Sequence, residues 1–189
     1  MRQIMLFATL IFSLLMSLPV TADSDEAWAA LREGRAILML RHALAPGTGD
    51  PAGFKVNDCR TQRNLNAAGR AQARSWQPFL QKRGITEARV FSSQWCRCLD
   101  TGREMGLGAV KQWPALNSFF RNRGDGETQT RQTIALVNQL ESGTPVVLVS
   151  HQVNVTALTG VFPASNEGLI LALPLSEKPT VLAKVSPGR

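Results

Sequence analysis

Tyrosine is absent from this 189-residue chain, histidine occurs twice and cysteine three times. Each scarcity narrows the chemistry. Without tyrosine, and without a basic motif interleaved with aromatics, the formal net charge of +7 does not read as a nucleic-acid surface built on base stacking. The basic balance points instead to anionic partners such as phosphorylated small molecules or lipid head groups. Cys59, Cys96, Cys98, His42 and His151 form no recognisable zinc spacing, and no pattern asks for a metal or an organic cofactor. Internal repeats, low-complexity tracts and linkers are missing too, so residues 23–189 read as a single domain.

A long apolar run of spanning length is also lacking. The one apolar run, Ile4 to Leu18, follows Arg2 and ends in Pro19 and the small-residue pattern Val20-Thr21-Ala22. It is short for a membrane span and has the layout of a secretory signal peptide over residues 1–22, cleaved after Ala22. A periplasmic or secreted protein with no stable membrane anchor is the expectation. No cysteine lies near that site to take a lipid. In an exported chain a disulfide is expected. Cys96 and Cys98 are two apart and would point in different directions on a helix, so Cys59 is expected to pair with one of them. Nothing in the sequence speaks to oligomeric state.

What is present alternates. Residues 24–33 read as a helix stopped at Gly34, and Ala36 to Leu40 as a buried strand. Residues 45–57 read as a Gly- and Pro-rich loop, and Asn66 to Arg83 as one long helix with Arg63, Arg70 and Arg74 on or near its solvated side. A strand at 88–92, a helix at 94–105, a short strand at 110–113, a helix at 128–140, a strand at 146–149 and a helix from Asn154 follow. Two closing strands, 168–173 and 180–185, end the chain. Strands alternating with helices predict a three-layer α/β/α sandwich around a mainly parallel sheet. In such sheets the functional crevice lies at the carboxyl ends of the strands.

Both histidines sit at such ends. LMLRH closes at His42 and VLVSH closes at His151. A third strand end leads through Ser92-Ser93 into a helix with Arg97 in its first turn, where free N–H groups and the helix dipole favour an anion. Arg41, His42, Arg97 and His151 would then meet at one sheet edge. Two guanidinium forks and two imidazoles suit the oxygens of a phosphoryl group.

This ordered set resembles the histidine phosphatase superfamily, the group of phosphoglycerate mutases and histidine acid phosphatases. Its Arg-His-Gly is matched by Arg41-His42-Ala43, its Ser-Ser-x-x-x-Arg by Ser92 to Arg97, and its second histidine by His151 after Val146–Val149. Leu65, Gly69, Gln72 and Ala73 match the Leu-x-x-x-Gly-x-x-Gln-Ala signature of its first long helix. The resemblance implies a phosphoglycerate mutase-like fold without a metal. It implies that His42 takes the phosphoryl group, giving phosphohistidine, while Arg41, Arg97 and His151 hold its oxygens.

Three departures stand out. Ala43 replaces the usual Gly. Ser118 in Leu116-Asn117-Ser118 stands where mutase-like members carry Glu, and Gln152 stands where acid phosphatases carry Asp. The proton donor is therefore open, with Asp125, Glu127 and Glu167 as candidates. The leading expectation is an exported phosphomonoesterase acting on an anionic phosphorylated substrate, in size and export similar to lipopolysaccharide core heptose phosphatases. The alternatives are a phosphoprotein (phosphohistidine) phosphatase, and a non-catalytic binder of phosphate or phospho-glycan.

Overall fold

The computed structural model describes residues 25–188; the expected signal segment lies outside them. The elements are α1 (Asp25–Arg32), β1 (Ala36–Arg41), α2 (Ala67–Arg74), α3 (Trp76–Gln81), β2 (Arg89–Ser92), α4 (Cys96–Glu104), β3 (Val110–Gln112), α5 (Gly126–Asn138), β4 (Val146–Ser150), α6 (Gln152–Thr159), β5 (Gly168–Ala172) and β6 (Val181–Val185). The strands form one sheet in the order β3-β2-β4-β1-β5-β6. β1, β2, β3 and β4 are parallel, and β5 runs against both of its neighbours. Among the described residues no helix is long and apolar enough to cross a membrane.

The continuous apolar runs of β1 and β4 are explained by a sheet covered on both faces. Alternation within each strand sends Leu38, Leu40, Val147 and Val149 to one face, against Trp28 and Leu31 of α1, Trp76 and Leu80 of α3, and Cys98 of α4. Ile37, Met39, Val146 and Leu148 go to the other, against Val137 of α5 and Val155 and Leu158 of α6. The expected three-layer sandwich is the observed one. Burying each such side chain stabilises the fold by roughly 1.5–3 kcal/mol before entropy is counted.

Register positions the functional edge. Arg41 pairs with Ser150 and Ser92 pairs with Val149, so the residues that follow emerge side by side. The N–H of His42 donates to Ser150 O, and the N–H of Ser93 donates to Val149 O, both at 3.0 Å. A one-residue slip would turn every core side chain of β1 to the wrong face, so the hydrophobic pattern also fixes where His42 emerges.

Two expectations need correction. The long helix over residues 66–83 is two helices, α2 and α3, meeting at Ser75. Pro78 supplies the cause: it has no N–H to give and its ring crowds the carbonyl four residues back, at Arg74. The Ser75 hydroxyl, which bonds Gln72 O at 2.6 Å, occupies the break. Arg63 is not on a solvated side. It is half-buried, and its Nε and Nη1 donate to Gly49 O and Ala45 O, bracing the loop that follows His42. Arg70 and Arg74 do reach the surface, paired with Asp100 and Glu104 of α4.

The Leu65–Ala73 signature has a physical meaning here. Asn66 caps α2 through its side chain, which accepts from the Gly69 N–H at 2.8 Å. A Cβ at Gly69 would lie 2.0 Å from Leu44 O, and Gln72 Oε1 accepts the Leu44 N–H at 3.0 Å. The segment behind His42 is thus docked on α2. Gly69→Ala is expected to cost about 1–3 kcal/mol by overpacking, read as a lower thermal midpoint, with the loop after His42 exchanging its amide hydrogens faster.

Candidate active site

At the carboxyl edge of the sheet, Arg97 is the hub. It is the second residue of α4 and is almost fully buried, at 3 % exposure. Its three nitrogens face three different groups. Nε donates to His42 Nε2 at 3.2 Å, Nη2 faces His151 Nδ1 at 3.4 Å, and Nη1 donates to Asp50 Oδ1 at 2.6 Å. The structure therefore brings together His42, Arg97 and His151, and Arg41 lines the same cleft. Arg41 donates through Nη1 to Pro163 O at 3.2 Å, while its buried Nε has no hydrogen-bond partner among the described residues.

The histidine bonds assign tautomers. His42 Nδ1 lies 2.7 Å from Ala43 O and carries the proton, so the Nε2 lone pair faces Arg97 and the cleft. His151 Nε2 lies 2.8 Å from Ser93 Oγ. That hydroxyl accepts the Trp95 N–H and donates to Asn117 Oδ1, so His151 Nε2 carries the proton and its Nδ1 lone pair faces Arg97. Burial, and then the charge of Arg97, hold both imidazoles well below the ordinary histidine range. A neutral His42 with an unprotonated Nε2 is what nucleophilic attack requires.

Ala43 fits without strain. It is buried beside Ala45, Leu65 and Ala73, and its N–H donates to Thr101 Oγ1 at 3.0 Å. A residue with negative φ has no need of glycine.

The cleft is a cavity of about 130 Å³ lined by Arg41, His42, Asp50, Arg63, Arg97 and His151 together with the Gly47–Gly49 turn, Ser118, Phe120 and the start of α6. Three guanidinium groups face one carboxylate. First-turn N–H groups of α6, which have no partner inside the helix, add further donors. Among the described residues no group of three His, Cys, Asp or Glu is placed to hold a metal ion.

The three carboxylates singled out from sequence are not in this cleft. Glu127 is exposed and pairs with Arg131 one turn along α5. Asp125 is exposed on the turn before α5. Glu167 is buried at the start of β5, but its carboxylate accepts the Ala164 N–H and pairs with Lys184. Glu127 and Glu167 are spent on local pairs, and Asp125 faces solvent at the start of α5 without capping it. The carboxylate that does enter, Asp50, went unnoticed in a loop that offered no periodicity. The signal available was Gly47-Thr48-Gly49-Asp50-Pro51, an acidic residue set between turn-formers close after the first histidine.

The rim is anchored. Cys59 is bonded to Cys96, which ties the loop after His42 to the first residue of α4. Gln62 Oε1 accepts the Cys96 N–H at 2.9 Å while its Nε2 donates to Lys55 O and Val56 O. Phe54 stacks on Trp95 with centroids 4.9 Å apart. Cys98 remains a buried free thiol, pushed up to about 12 by burial, so it is not a nucleophile at neutral pH.

No family model and no curated protein sequence matches the chain. Solved structures do. The protein histidine phosphatase SixA complexed with tungstate superposes with a TM-score of 0.56 at 20 % identity, covering 80 % of this chain and 97 % of that one. The chain has the histidine phosphatase fold. A mycobacterial glucosyl-3-phosphoglycerate phosphatase complexed with VO3 matches at 0.56 and 16 % identity, covering 78 % and 96 % of the two chains. A phosphoserine phosphatase from Entamoeba histolytica, in complex with phosphoserine, matches at 0.57 and 13 % identity over 80 % and 97 %. These histidine phosphatase-like structures share the sheet and layers described above and are covered almost end to end.

Two measurements test the site as a physical object. His42 and His151 have folded-state pKa values below the unfolded value near 6.5, so the unfolded chain binds more protons below that pH. Their contribution is complete above about pH 6.5 and is lost as pH falls below it, towards the folded values. The denaturant midpoint is expected to drop between pH 7 and 5, and to drop less in His42→Gln. Reduction of the Cys59–Cys96 bridge, which spans 37 residues, is expected to cost on the order of 4 kcal/mol in the same assay.

Proposed function

We propose that this protein is a phosphoric monoester hydrolase working through a phosphohistidine on His42. The observation that carries the reading is the three-way grip of Arg97 on His42, His151 and Asp50, with the lone pair of a neutral His42 turned into a cationic cleft. Phosphoryl transfer asks for little covalent chemistry from a protein and much electrostatic positioning, and this cleft is rich in fixed donors.

In this mechanism the phosphoryl oxygens settle among Arg41, Arg97 and the α6 N–H groups, and His151 joins them as a donor once its Nδ1 takes a proton as the anion binds. His42 Nε2 attacks phosphorus as the P–O bond to the leaving group breaks. Water then attacks the phosphoramidate, the P–N bond breaks and phosphate leaves. The Nδ1–H bond to Ala43 O fixes the ring and stabilises the positive charge that develops on it during attack.

The finer reading is of an exported enzyme acting on a phosphosugar, with the phosphate of a lipopolysaccharide core as one such group. Its support is the apolar segment of residues 4–18, the disulfide, and a cavity small enough to take the phosphoryl end while the rest of the substrate lies over the rim. Phe120, exposed at that rim, offers a face for a sugar ring.

The test is turnover of p-nitrophenyl phosphate, sugar phosphates and a phosphohistidine peptide, with trapping of the phosphoenzyme. Wild type should form an acid-labile phosphoryl adduct at His42. His42→Ala should lower kcat/KM by at least about 10⁴-fold, and Arg97→Ala by about 10²–10³-fold or more. Anion binding without turnover on any of the three substrates would instead mark a binding protein.

A further inference from the structure

Departure of an alkoxide requires a proton, and the residues in the expected places, Ser118 and Gln152, cannot supply one readily. Among the described residues, Asp50 is the single carboxylate lining the cleft. We propose that Asp50 is the proton donor to the leaving group, a role resting on the phosphatase reading above.

The geometry carries the assignment. Asp50 enters from the loop that follows His42, and its two oxygens have distinct partners. Oδ1 accepts from Arg97 Nη1 at 2.6 Å, and Oδ2 accepts from Trp95 Nε1 at 3.0 Å. A phosphoryl group claimed by Arg97 competes with Oδ1 for the same guanidinium. Oδ2 can keep its indole bond whether the carboxyl is charged or neutral, because the indole only donates. Displacement therefore leaves an oriented carboxyl with Oδ1 turned to the incoming ester.

The loop is held for this task. Arg63 braces Gly49 O at 2.9 Å, Arg121 donates to Asp50 O and Pro51 O, and the disulfide anchors the loop's far end. Burial raises the Asp50 pKa, but the hydrogen bonds from Arg97 and Trp95 outweigh it, so the carboxylate is charged. An incoming phosphoryl anion weakens the Arg97 contribution and adds like charge, and both effects favour protonation.

Protons balance without an external reagent. A monoanionic ester, R–O–PO3H⁻, enters and passes its proton to the Asp50 carboxylate. As His42 Nε2 bonds to phosphorus and the P–O bond breaks, Asp50 gives that proton to the leaving oxygen and ROH departs. Asp50, again a carboxylate, then accepts a proton from the water that attacks phosphohistidine. The P–N bond electrons return to His42 Nε2, and the proton leaves with the phosphate.

The deciding experiment compares leaving groups in wild type and Asp50→Asn. With glycerol phosphate, whose alkoxide leaves poorly, Asp50→Asn should lose about 10²–10³-fold in kcat/KM. With p-nitrophenyl phosphate, whose phenolate leaves unaided, it should lose less than about tenfold in kcat/KM and trap more phosphoenzyme than wild type, because Asn cannot take the proton from the attacking water. Equal losses on both substrates would make Asp50 a positioning residue for Arg97 and overturn the proposal alone. No loss on glycerol phosphate would also overturn it. Failure of wild type to phosphorylate His42 from either ester would overturn the phosphatase reading and this proposal together. Should Asp50→Asn not fold, the rate of wild type across aryl phosphates decides instead. A shallow dependence on leaving-group pKa is expected, and a steep one refutes proton donation.

Discussion

A buried guanidinium organises this molecule. Taking Arg97 out of water is costly, and the cost is offset only if its N–H groups are satisfied. They are met by His42, His151 and Asp50, which come from β1, β4 and the intervening loop. The β1 end with its following loop and the β4 end are far apart in sequence, and they must converge for α4 to sit where its apolar side requires. The same convergence builds the cleft, so the site and the requirement that a charge be paired are one constraint.

That constraint reaches into protonation. Imidazoles that accept from Arg97 must present lone pairs, and neither can be positively charged without facing a like charge at hydrogen-bond distance. The backbone completes the arrangement. Ala43 O holds the His42 proton on Nδ1, and Ser93 Oγ, oriented by the Asn117 carbonyl, holds the His151 proton on Nε2. Asn117 also bonds the Gln94 N–H and side chain, and its own carbonyl accepts from Gln129 and Asn154. The segment Leu116-Asn117-Ser118 therefore serves as a brace behind the site.

Much of this was legible in the sequence, and the reasons are specific. The apolar runs ahead of His42 and His151 declare strands covered on both faces, and strand ends declare a shared edge. Even the first-turn position of Arg97 could be read from Ser92-Ser93 and the helix that follows. What was not legible depended on loops and on single bonds. Asp50 lies where no periodicity operates. Arg63 reads from the sequence as lying on or near a solvated side, yet two backbone carbonyls recruit it inward. Glu167 sits at the start of a strand near the site, but β5 runs antiparallel and Lys184 of β6 holds its carboxylate. Pro78 was present to be read as a break, and the apolar face across it disguised the boundary.

The Cys59–Cys96 bridge closes a ring that contains α2, α3 and β2 and leaves the Asp50 loop just outside, hung between His42 and the ring's first residue. Such a loop has one end fixed by a strand and the other by a covalent bond to the helix that carries Arg97. Its freedom is that of a short tether, not of a flap. Thiol–disulfide poise then becomes a setting of the cleft's mouth: where the bond persists, the rim keeps a fixed outline, and a substrate is chosen by how it lies across that outline rather than by a closure around it.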